Sequence, residues 1–459
     1  MSMKSSSLRS WILAVCMLSV APQTRAFSIL GPFAAYQSAT LSYGGVDMGG
    51  PMNLGEEYRV NFRGMTYAFD ATFLSYFGNK GVTAVEEAIG ILNQLPGAST
   101  IDRTLDTFPL QSKGPKNFTA ESLGILDLKS ETLGILFGQL GVGNPERWTW
   151  TLRDQANTNY TVIMRNFDPG TWLPTNLVNG TLYTYRIEDP VSAILNSADA
   201  VEVLVDPLSF DFTSVSGVEN PDPLRGSNLR TGEYFTGLTR DDAAAMAYIY
   251  RARNFNVENT ISTLTLATNV GGPWVIPGTS NSLTTNVLVD IALRPGIENI
   301  DFRRVDFDSL LGTTINVTNR FTDQYVTNGY VTNQVVDRPI TAPDIVFFAA
   351  DIPSVNGVVV PLFRTPSANW VDNSALNTSG GGGAGGAGGD NAGPGTIEPT
   401  IVITFNKLGP FIINTTPTFL TEATGTPGFR WGHFDTTTFF AVFPDGQSIR
   451  DIEAAVRFQ

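Results

Sequence analysis

From about Asn256 onward the chain loses the helical spacing of its apolar residues, and this switch constrains the fold more than any other feature. In its place come short runs in which Thr, Val, Asn and Phe alternate: Thr263 to Ala267, Thr285 to Leu293, Ile345 to Ala350, Thr400 to Phe405 and Phe439 to Phe443. Gly, Pro and Asn turns separate them. Each run can bury only one face and needs a second sheet against it, so a β-sandwich-like region is expected over 256–459.

Before residue 255 three segments carry helical spacing. Thr83 to about Leu95 places Val85, Ala88, Ile89 and Leu92 on one face, with Thr83 and Glu86 at capping-box spacing and Pro96 as a stop. Asp127 to Leu140 groups Leu133, Leu136, Phe137 and Leu140, with Gly141 as exit. The third helix follows Thr239, with Asp241 and Asp242 in its first turn, where acids complement the helix dipole. Strand-like runs lie between them, including Tyr58 to Phe69, Trp148 to Arg153 and Tyr160 to Asn166. The expected architecture is an α+β domain over 27–255 followed by an all-β, sandwich-like domain. A glycine-rich loop over 377–396 interrupts the second region, because a run without side chains has nothing to pack. Its G-x-G-x-x-G matches are compositional, since no strand precedes them and no helix follows.

Residues 1–26 read as a signal peptide. Lys4 and Arg9 precede the apolar run Trp11 to Val20, and Thr24-Arg25-Ala26 ends in the small residue that favours cleavage after Ala26. Lipidation at Cys16 is disfavoured by the branched Val15 before it. The chain has 43 acidic and 29 basic residues, and cleavage would remove three basic ones, moving net charge from −14 to −17. Such acidity repels nucleic acid and anionic membrane surfaces, and no later run is long enough to span a membrane. A secreted or periplasmic protein is expected, with extracellular polysaccharide or protein as partner class. The one cysteine leaves with the signal, so the exported chain is cysteine-free and draws its stability from packing.

With one histidine, His433, any imidazole chemistry must use that residue, and no G-x-S-x-G elbow names a serine to accompany it. A turn histidine is the plainer reading. Carboxylate pairs remain as an enzymatic route, because glycoside hydrolysis needs only two acids. Glu56-Glu57, Glu86-Glu87, Asp241-Asp242 and Asp306-x-Asp308 are the candidates, the last also able to face a Ca²⁺ ion from one side of a strand. Trp148 and Trp150 would share a face if their segment is a strand, and could then form a sugar platform. The N-x-S/T triplets, such as Asn117 and Asn179, matter only in a glycosylating host.

Leu238-Thr239-Arg240-Asp241-Asp242 resembles the start of the last helix of matrixin-like zinc proteases, and Met65 to Phe69 with the Val85 helix resembles that domain's first strand and helix. The resemblance implies a zinc-binding helix at Ser130-Glu131. Glu131 has no histidine near it, however, and three imidazoles are needed to hold the metal. A degenerate metalloprotease-like scaffold without zinc, cofactor or proteolytic activity is the expectation. Phe235 to Asp242, Arg165 to Pro169 and Trp431 to Asp435 also resemble secreted multi-domain proteins of verrucomicrobial and planctomycete type, a likeness that implies export and carries no activity. No catalytic, cofactor-binding or metal-binding residue is assigned. The function expected is non-catalytic binding or structural support outside the cell. A secreted carbohydrate-active hydrolase using a carboxylate pair is the alternative.

Overall fold

The computed structural model describes residues 26–32, 48–109, 115–156, 159–188, 199–208, 214–218, 229–267, 288–307, 316–350, 367–372, 393–408, 412–413, 416–417 and 430–457. Residues 1–25 of the expected signal peptide, Asp308 and the glycine run up to residue 392 lie outside the described residues. The N-terminal region mixes helices with strands, and the C-terminal region is strand-dominated, forming several sheets in a sandwich-like arrangement.

The largest sheet is built around Gly64–Phe69. Asp301–Arg304 and Ile345–Ala350 pair with it in parallel, one on each side. Gly395–Leu408 continues the parallel order beyond Ile345–Ala350, and Ser367–Asp372 adds an antiparallel edge. An N-terminal strand thus sits inside a sheet whose other long members come from beyond residue 255. The change of periodicity there marks a change of element type, while the two regions share one sheet.

Helix α1, Ala71–Asn93, follows the central strand directly and begins well before the expected Thr83. Asp70 caps it by accepting from the Thr72 N–H at 2.7 Å. Gly78 takes φ 56°, ψ −162° and kinks the helix, a left-handed conformation that glycine adopts without steric penalty. The first two turns carry Phe73 and Phe77, which stack with Phe69 and Phe405. Thr83 donates to the Asn79 carbonyl within the helix, and Glu86 pairs with Arg304, so neither residue caps.

Helix α2 is the single turn Phe118–Ser122. Helix α3, Leu128–Gln139, starts on Asp127 and leaves through Gly141, as its spacing predicts. Helix α4, Arg240–Ile249, follows Thr239 as expected, and Thr239 and Asp242 form a capping box at its start. A further helix, α5, Ile449–Arg457, stands where only strands are expected. Ser448 and Asp451 cap it reciprocally, and Ile452 packs with Tyr234 and Phe434. This S-x-x-D start is a helix signal that an all-β reading of the C-terminal region passes over.

The glycine run also needs correction at its end. Gly395 begins a strand of the main sheet, and a Cβ there would sit 1.9 Å from the Tyr58 ring. A Cβ on Gly393 would fall 2.2 Å from the Glu56 carbonyl. These glycines pack because they lack side chains, so 395–396 belongs to the sheet and 393–394 is closely packed irregular backbone.

A five-stranded antiparallel sheet flanks this core, dominated by the hairpin Val317–Thr327/Tyr330–Ile340. Its two-residue turn is Asn328-Gly329, with φ 52° and 79°, the positive values a type I′ turn requires. Three buried ion pairs fasten the layers. Arg59 Nε donates to Glu258 Oε1 at 2.5 Å, while its Nη atoms reach the carbonyls of Ile249, Asn254 and Arg294. Arg294 pairs with Asp323, and Arg338 with Asp344, which also accepts from the Thr66 N–H and hydroxyl.

Candidate functional site

Among the described residues an open cleft of about 370 Å³ lies between α4, the 98–105 segment and the 169–172 turn. Its floor follows from helical geometry. Ala244, Ala247, Tyr248 and Arg251 recur at spacings of three and four, which places them on one face as α4 ends. Arg251 lies just past the helix C-terminus, where the exposed carbonyl ends favour a cation.

The opposite wall is a turn held by Asp168. Its carboxylate accepts from the Gly170 and Thr171 N–H groups at 3.0 and 2.7 Å and from the Thr171 hydroxyl at 2.9 Å. This local bonding is the mechanism by which Asp organises tight turns. It carries Trp172 into φ 60°, an uncommon conformation for a bulky residue and one that clusters at binding sites. Both Trp172 donors are satisfied within the turn, the backbone N–H by Asp168 O and Nε1 by Pro169 O. The ring itself stays 39% exposed.

Across the cleft Trp172 meets Tyr248 edge to face at 5.5 Å. The Arg251 guanidinium stacks 3.7 Å above the Trp172 ring and 4.7 Å from Tyr248, close enough for a cation–π attraction with both. Burial lowers the Arg251 pKa, opposed by Tyr248 and Glu57 and reinforced by the positive Arg103 nearby. Burial likewise pushes the Tyr248 hydroxyl well above its usual value, so it stays protonated. Among the described residues that line the cleft Asp102 is the acidic one, and its carboxylate is engaged by the Thr104 N–H and hydroxyl.

The acids singled out from sequence are elsewhere. Glu57 is buried and accepts from Asn254, Asn256 and the Gly55 N–H, while Glu56 accepts from the Asn53 N–H. Glu86 pairs with Arg304, and Glu87 with His433. Asp242 is held by Thr239 and by the Val215 and Ser216 N–H groups. Asp241 is buried beside it, accepting from Asn179 Nδ2 and the Ala26 N–H. Asp306 is exposed past the end of the Asp301–Arg304 strand.

The two tryptophans also differ from expectation. Both precede the strand Thr151–Ala156; Trp148 is buried under Arg147, and Trp150 packs on Tyr185. Asn117 and Asn179, nominal glycosylation sites, are tied to Asp435 and Thr437 carbonyls and to Asp241 respectively.

His433 lies between two carboxylates, Nε2 at 3.3 Å from Glu87 and Nδ1 at 3.7 Å from Asp127. Ser130 hydrogen-bonds Asp127 rather than the imidazole. Burial alone would lower the His433 pKa, but Asp127 and Glu87 outweigh it and raise the value. With the folded value above the unfolded one, the imidazolium stabilises fully below about pH 6.5. That contribution disappears as pH rises through the raised value. His433→Gln should therefore destabilise the protein more at about pH 5.5 than at about pH 8.5, read from urea midpoints. Equal losses at both pH values would contradict the ion-pair role.

Helix α3 holds Ser130, Glu131 and Thr132 but no imidazole, so a zinc protease has no ligands there. Among the described residues no group of three or more His, Cys, Asp or Glu is placed to hold a metal ion, and no described helix is long and apolar enough to cross a membrane. The Arg251–Trp172–Tyr248 stack is what sequence reading missed. The turn-forming Asp168-Pro-Gly-Thr-Trp172 and the Tyr248/Arg251 spacing were its two local signals. No protein-family model matches the chain, and comparison with curated proteins and with solved structures gives no match.

Proposed function

We propose that the protein is an exported, non-catalytic binding protein that holds an extracellular ligand in the cleft between Trp172, Tyr248 and Arg251. The carrying observation is the guanidinium stacked on an exposed tryptophan whose backbone is fixed in a left-handed turn. Such a wall is organised before any ligand arrives, which reduces the ordering cost of binding. The cleft volume falls within the roughly 300–1,000 Å³ of small-ligand sites. Hydrolysis of a glycosidic bond requires two carboxyl groups about 5–10 Å apart across the ligand. Among the described lining residues of this cleft Asp102 is the one acid, and the Asp168 carboxylate is spent on its own turn.

The full chain, purified from a host that exports it, should be screened against a polysaccharide panel, with binding and reducing-end release scored separately. Binding without release is expected, and Trp172→Ala should weaken it by about tenfold or more, as truncation of an aromatic anchor does. Turnover abolished by one carboxylate substitution would overturn the non-catalytic reading.

A further inference from the structure

We infer that this cleft recognises a carboxylate, and that its ligand is a saccharide bearing a uronic acid. The inference rests on the binding reading above and adds the chemistry of the ligand. Three arginines, Arg103, Arg251 and Arg253, line the cleft of a protein whose formal net charge is −14. The local charge is thus opposite to that of the whole chain. Among the described residues no carboxylate lies within ion-pair distance of Arg251 or Arg253.

The Arg251 guanidinium, held over the Trp172 ring and beside Tyr248, carries a fork of N–H donors. That fork matches the two oxygens of a carboxylate, and stacking holds it in position. Around it the walls are apolar, from Phe27, Ile101, Leu105 and Ala247. A ring with one apolar face and one acidic substituent satisfies both halves of this lining.

Calorimetric titration of the full chain tests this with oligogalacturonate, free galacturonate, methyl-esterified oligogalacturonate and inorganic phosphate. Oligogalacturonate should bind at least about tenfold more tightly than its methyl ester, since charge-assisted hydrogen bonds are about twice as strong as neutral ones. Arg251→Gln should abolish that preference, and Arg251→Lys, which keeps the charge without the fork, should restore it only in part. Arg253→Gln, at an exposed position, should also reduce it without touching the core. Comparison of the free sugar with the oligomer separates a monomer site from a chain-binding one. Equal affinity for acid and ester, tighter binding of phosphate, or an unchanged preference in folded Arg251→Gln would overturn the inference. Ester binding lost in Trp172→Ala but indifferent to Arg251→Gln would sink the carboxylate and leave the binding reading standing. Binding that ignores Trp172→Ala would sink both.

Discussion

Glu258→Ala should destabilise the protein by about 3–5 kcal/mol, because it leaves a buried guanidinium without its counter-ion. Arg59 and Glu258 are both inaccessible to solvent, and the Arg59 Nη groups already spend their hydrogen bonds on three backbone carbonyls. Burial raises the Glu258 pKa even with Arg59 beside it, so the attraction does not fully offset desolvation. Two consequences can be separated. Removing one partner is costly, whereas replacing both with well-packed apolar residues should be close to neutral. Urea unfolding of Glu258→Ala and of Arg59→Met/Glu258→Leu measures both, and a loss below about 1 kcal/mol in the single variant would contradict the pairing.

Asp241→Asn should make the protein more stable above neutral pH and flatten its stability profile between about pH 4 and pH 7. Burial, then repulsion from Asp242, lifts the Asp241 carboxyl to about 7, against the opposing Asn179, Ala26 and Arg240 contacts. The folded state keeps this proton where the unfolded chain has released it. Stability therefore falls as pH rises through the window, by a few kcal/mol at about 1.4 kcal/mol per pKa unit. Asparagine imitates the protonated acid, and its NH₂ has a waiting acceptor, because Asn179 Oδ1 is buried without a partner and an amide flip would present it. Thermal unfolding across pH reads the effect. A wild-type profile with the opposite slope, unchanged by Asp241→Asn, would exclude Asp241 as its source.

How much of this was legible depended on how local each signal was. The starts of α3 and α4 could be read because Asp127 and Thr239 act within three residues. The start of α1 could not, since Gly78 and a run of aromatic residues disguise its first turns, and its stabilisation comes from Phe347 and Phe405 far along the chain. The strand-rich character of the C-terminal region follows from alternation alone, yet no local pattern announces that Gly64–Phe69 would be enclosed by two of its strands. The cleft was hidden for the same reason. It joins Phe27, a turn at Trp172 and the end of α4, and only tertiary packing brings them together.

The enclosed strand also orders events in time. Gly64–Phe69 is made early in synthesis, but its two neighbours are Asp301–Arg304 and Ile345–Ala350, hundreds of residues later. Pairings so distant are slow to form, because a large loop must close before any contact rewards it. Until then Tyr67, Phe69 and the aromatic face of α1 have no partner strand, and Arg59 has no Glu258. The early half of the chain must therefore stay incomplete while the rest is made, a delay that makes premature aggregation its main hazard.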